Sequence, residues 1–158
     1  MDLTTVKSIY RETAEDANKE VTIGGWIRTM RASKNFGFIE LNDGSFFKNI
    51  QVVFEADKVS NYEEITKQNV GAALIVKGLL VETTKAKQPF EIKATEIEVE
   101  GTSTPDYPLQ KKRHSVEFLR EIAYLRPRTN LFSATFRVRS LVAMAIHEFF
   151  QNKGFIYA

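Results

Sequence analysis

The chain has 158 residues, 43% hydrophobic and 27% charged, with 22 basic and 20 acidic side chains and no cysteine; disulfides, thiol nucleophiles and thiolate metal sites are excluded, and a reducing cytoplasm suits it. Its length allows one domain of about 100 residues and part of a second, and it has neither a secretory leader pattern at Met1-Asp2-Leu3-Thr4-Thr5 nor the ~20 apolar residues in a row of a membrane span. Residues 1–104 carry 13 Lys/Arg against 16 Asp/Glu while 105–158 carry 9 against 4, so any affinity of the first part for a polyanion must come from a local patch.

Thr4 or Thr5 is expected to cap a short helix reaching about Ala14, its Val6, Ile9 and Tyr10 face lying as a lid over the end of a barrel. Val21 to Arg28 opens a β region in which Gly24-Gly25 predicts a bulge or bend, letting one long strand serve two sides. That bulge leaves the facing of Arg28 and Arg31 open by one register. Asn35 to Asp43 and Asn49 to Phe54 read as strands two and three, joined by the turn residues Asn42-Asp43-Gly44-Ser45. A helix is expected over Asp57 to about Lys67, a fourth strand over Ala72 to Val81, a basic turn at Lys85 to Pro89, and a fifth strand over Phe90 to Val99. Three strands, a helix and two strands is the order of the OB-fold, a five-stranded Greek-key barrel whose strand two and three face binds oligonucleotides.

Period-2 alternation divides strands two and three into two faces. Ile39, Leu41, Ile50, Val52 and Phe54 share the core; Phe36, Phe38, Glu40 and Gln51 are left outside, with Arg28, Arg31, Lys34 and Lys48 around them. Cations hold phosphates and every base has a face that stacks, so this is the chemistry of single-stranded nucleic-acid binding.

Gly101 to Pro108 is small, polar and proline-punctuated, which predicts a boundary: a barrel domain over 1–104, a linker over 105–113 and a second element over 114–158. Ser115 is expected to cap a helix to about Tyr124, Arg126-Pro127-Arg128 to break it, and Asn130 to begin a long Phe-rich helix closed by Gly154. So apolar a helix needs a partner, either another copy or a segment outside this sequence.

Gly25-Trp26-Ile27-Arg28, Phe38 to Asp43 and Ile50 to Phe54 resemble the N-terminal anticodon-binding domain of the aspartyl, asparaginyl and lysyl class II tRNA synthetases. His114 to Arg120, Tyr124 to Asn130 and Phe136 to Ser140 are similar to the asparaginyl branch. The final helix and Gly154 to Ala158 look like the first class II signature, a dimer-interface helix leading to a strand. The resemblance implies an N-terminal fragment that lacks the parts holding ATP and the adenylate and is itself inactive, from a cytoplasmic homodimeric ligase that joins asparagine to its tRNA with ATP and magnesium. It also implies roles. Phe38 resembles the platform for the middle anticodon base, Gln51 the reader of its uracil, Arg31 the base- and phosphate-contacting arginine, Glu91 the acidic group approaching the first base, and Arg28 with Lys34 general phosphate contacts. Phe36 is expected to pack at the barrel rim.

Plainer readings stand beside these. A strand Phe covered by a loop, a solvated glutamine and a solvated glutamate would leave the same pattern. His114 and His147 have no acidic partners at ligand spacing and read as structural; Glu15-Asp16 and Glu63-Glu64 read as solvated surface, not an acid/base pair, and Lys111-Lys112-Arg113 as a solvated linker. No catalytic or metal-ligating residue is expected. Two rivals remain open: a stand-alone OB-fold single-strand binder, and an aspartyl enzyme sharing the same anticodon positions.

Overall fold

The computed structural model describes residues 2–11, 18–83 and 88–158, divided into compact units Met1–Lys112 and Arg113–Ala158. In the first unit, β1 (Glu20–Ala32), β2 (Phe36–Asn42), β3 (Ile50–Glu55), β4 (Ala73–Glu82) and β5 (Phe90–Gly101) form a closed barrel in the order β1-β2-β3-β5-β4. β3 and β5 run parallel and the other neighbours antiparallel, giving the OB-fold. Ile23, Ile39, Leu41, Ile50, Val52, Phe54, Val76 and Ile92 are fully buried inside. Each such side chain contributes about 1.5–3 kcal/mol by leaving water.

β1 is long because it serves two neighbours: Glu20 to Trp26 pair with β4 and Trp26 to Ala32 with β2. The irregularity expected at Gly24-Gly25 lies further on. Both glycines pair in regular register with β4, and the β1–β2 register slips between Ile27 and Thr29, leaving Arg28 as the extra residue. The consequence is a change of face. Ile27 points inward, and with one residue inserted it is Met30, opposite Ile39, that next packs against the core. Thr29 and Arg31 are thereby turned outward, opposite Glu40 and Phe38.

α1 (Val6–Arg11) buries Val6 and Ile9, as a lid does. Its free amides are met by Thr5, whose Oγ1 accepts from Ser8 at 3.1 Å, and by the β2–β3 turn: Asp43 Oδ2 accepts from Val6 at 2.8 Å and Ser45 Oγ from Lys7 at 3.0 Å. The tail of the expected helix, to Ala14, lies outside the described residues. α2 is shorter than expected, Tyr62–Thr66. Asn61 donates to the Ile97 carbonyl at 3.0 Å and Val59 is buried, so the residues ahead of Tyr62 are tied to β5 and the core and form only one isolated turn, in which Lys58 and Val59 donate to the Glu55 carbonyl.

Beyond β5 the chain does not leave the barrel at once. The Asn69 amide donates to the Ser103 carbonyl at 2.9 Å, the Tyr107 ring lies against Gly71, and Leu109 is buried. The first unit therefore runs to Lys112 and takes in most of the stretch expected to be linker.

In the second unit, α3 (Val116–Glu121) is capped by Ser115, whose hydroxyl accepts from Phe118 at 3.2 Å. It ends before Tyr124 because Ile122 leaves helical geometry. Arg126–Arg128 form one 3-10 turn, and the Arg126 guanidinium lies 5.0 and 5.6 Å from the Phe132 and Phe136 rings. α4 (Asn130–Asn152) ends in a paired cap: Phe155 donates to Phe150 and Gly154 to Gln151, with Gly154 at φ 85° and the Phe150 and Phe155 rings 5.3 Å apart. Leu141, Met144 and Phe149 on this helix are 72%, 66% and 57% exposed. No helix among the described residues is long and apolar enough to cross a membrane.

Candidate nucleic-acid interface

The outer face of β2 and β3 is built by alternation. Gly37, Ile39 and Leu41 are buried and Phe36, Phe38 and Glu40 exposed; Ile50, Val52 and Phe54 are buried and Gln51, Val53 and Glu55 half-buried. Gly37 sits between the two exposed rings because the Phe54 ring fills the space beneath it; a Cβ there would come within 2.3 Å of Phe54.

Register arranges the outward residues in two rows. Arg31, Phe38, Val53 and Lys93 are successive cross-strand partners on β1, β2, β3 and β5, and Thr29, Glu40, Gln51 and Glu91 form the next row. Phe38 and Gln51 are therefore diagonal neighbours, about 7–8 Å apart. The Phe38 ring and the Gln51 amide share one face of the barrel. The Phe38 ring is 38% exposed, and the Phe36 ring meets it edge-on at 5.6 Å and 85°.

Gln51 Nε2 donates to Glu91 Oε2 at 3.2 Å. A carboxylate only accepts, so it fixes which end of the amide is which and turns Oε1 away from Glu91. Glu40 accepts from the Asn49 amide at 3.3 Å, and Asn49 accepts from Asn42 at 2.9 Å. The face thus offers an exposed ring, an oriented amide, two carboxylates and the cations Arg31 and Lys93, an arrangement that stacks a flat group and reads its edge.

Of the residues singled out in sequence, Phe38, Gln51, Arg31 and Glu91 come together here. Arg28 is the half-buried bulge residue beside them. Lys34 is exposed in the β1–β2 turn. Lys48 stands apart, its ammonium 5.3 Å over the Tyr10 ring at the lid helix. Phe36, expected to pack at the barrel rim, is the first residue of β2 and pairs with Glu55; its ring touches Phe38 edge-on and is 48% exposed. Lys93 is an addition. Its signal was the alternation of β5, in which Glu91 outward implies Lys93 outward. His114 stacks on Phe118 at 5.4 Å and His147 meets Tyr157 edge-on at 4.8 Å. Glu15 and Asp16 lie outside the described residues, and Glu63 and Glu64 are exposed on α2.

Residues 21–100 match the family described as the OB-fold nucleic acid binding domain. The asparagine–tRNA ligase of Acetivibrio thermocellus is 66% identical over 157 residues, 99% of this chain and 34% of that protein. That of Alkaliphilus oremlandii is 68% identical over 152 residues, 96% and 33%. The chain spans about a third of the length of these curated relatives. Among solved structures, asparaginyl-tRNA synthetase from Pyrococcus horikoshii complexed with asparaginyl-adenylate superposes with a TM-score of 0.86 at 21% identity, over 99% of this chain and 36% of that one. At that identity the likeness concerns the fold.

Proposed function

This chain belongs to the family of OB-fold nucleic acid binding domains, and from that premise we propose that it is the anticodon-reading part of an asparagine–tRNA ligase, with the anticodon loop of tRNA(Asn) as its partner. The observation that carries the reading is the diagonal placement of exposed Phe38 and Glu91-bound Gln51. Phe38 takes the face of the middle anticodon base, worth about 1–3 kcal/mol. Gln51 Oε1, held outward, accepts the N3–H of uracil, and the amide's second hydrogen is donated to a uracil carbonyl; cytosine sets an acceptor against that oxygen. Arg31, with Arg28 and Lys34 near it on the chain and Lys93 at the far end of its row, holds phosphates. Glu91 both orients Gln51 and borders the place of the first base. The choice of asparagine rests on the high identity to asparagine–tRNA ligases.

On this reading, ligation of asparagine, with ATP and magnesium as cofactors, belongs to a longer cytoplasmic enzyme like the relatives of whose length this chain spans a third. Its homodimer forms through the apolar face of α4. The test is titration of a GUU-anticodon stem-loop at fixed salt. Phe38→Ala weakens binding about 5- to 150-fold whatever the middle base; an unchanged affinity contradicts the reading.

A further inference from the structure

The turn preceding Phe36 is held on three sides. The Phe36 carbonyl accepts from the Ser33 amide and hydroxyl, both at 2.9 Å; the Ser33 carbonyl accepts from the Tyr62 hydroxyl at 2.9 Å; and the Asn35 carbonyl accepts from the Ala56 amide at 2.8 Å. An exposed ring on so fixed a backbone is preorganised, which lowers the ordering cost of any contact it makes. Beside it lies an open groove of about 570 Å³ lined by Asn35, Phe36, Val53, Glu55, Ala56 and Asp57, within the size range of small-ligand sites. Val53 belongs to the same row as Phe38, so groove and platform are continuous.

We infer that Phe36 and this groove form a second stacking subsite, taking one unpaired amino-bearing base (adenine, cytosine or guanine) next to the triplet. The inference deepens the anticodon reading and rests on it. The Phe36 and Phe38 rings stand at 85°, so bases on the two rings are not parallel and the strand turns between them, as unstacked loop nucleotides do. Glu55 and Asp57 only accept hydrogen bonds. They favour an exocyclic amine over uracil, whose one edge donor, N3–H, lies between two carbonyls that the carboxylates repel. Lys58, 2.8 Å from Glu55, supplies the cation for that nucleotide's phosphate.

The 158-residue chain is titrated, at one salt concentration, with GUU stem-loops in which each nucleotide flanking the triplet is made abasic, adenosine or uridine in turn. At one flank the abasic change weakens binding roughly 5- to 150-fold. There adenosine binds tighter than uridine; Phe36→Ala weakens the intact loop to the same extent with no further loss on the abasic loop, and Phe36→Tyr restores binding. Insensitivity at both flanks, equal binding of adenosine and uridine, or multiplying losses for Phe36→Ala and the abasic loop overturns the subsite. If middle-base discrimination survives those outcomes, the anticodon reading stands without it; a chain that binds no loop overturns both.

Discussion

Gln51 and Glu91, forty positions apart, are cross-strand partners in the parallel β3–β5 pair and share a 3.2 Å hydrogen bond from amide to carboxylate. The carboxylate acts as a one-way fixture for the amide. Glu91→Gln provides a partner that both donates and accepts, so the Gln51 amide becomes free to flip. The expected result is a fall in the uracil-over-cytosine affinity ratio of about tenfold, the worth of one hydrogen bond. An unchanged ratio, with the fold intact by circular dichroism, removes Glu91 from base choice.

Arg31 reaches the interface only because Arg28 is inserted in β1. The phosphate role proposed for it carries no base information, so Arg31→Ala should weaken uracil and cytosine loops alike. The slope of log affinity against log salt should fall by about 0.7, the value for one phosphate on a single strand. A loss confined to one base contradicts the phosphate role.

The barrel with its tail, residues 1–112, is expected to fold alone and melt cooperatively. Ending it at residue 104 removes buried Leu109 and the Tyr107 ring against Gly71, which should cost about 2–5 kcal/mol. Thermal melts of the two lengths give the comparison. Equal melting temperatures would mean that the tail adds nothing to the fold.

The exposed side chains of α4 include Val138, Leu141, Val142 and Phe149, which share one face of the helix, an apolar stripe rarely left to water. Sedimentation should show concentration-dependent association of the chain, and Leu141→Glu with Phe149→Glu should abolish it. A monomer at every concentration argues against the interface role.

Much of the fold was readable because it rests on local periodicity. Alternation in 36–42 and 50–54 is a property of neighbouring residues, and it identified both the core set and the outward-facing Phe38 and Gln51. What escaped depends on pairing across the barrel. The position of a bulge is decided by two strands together, so Arg28 could not be picked out from β1 alone and the glycine pair drew the expectation instead. Residues 102–112 have linker composition, yet Asn69 and Gly71, over thirty positions earlier, determine that they pack. The Gln51–Glu91 bond is non-local in the same way.

The most direct test is the ratio of affinities of the unmodified chain for stem-loops differing only in uracil or cytosine at the middle anticodon position, at one salt concentration. An amide fixed by Glu91 beside an exposed ring predicts that uracil is preferred about tenfold or more, and that Gln51→Ala removes most of that preference while leaving the ring's contribution. Equal affinity for the two loops in the unmodified chain would contradict anticodon reading and leave a binder of single strands without base choice.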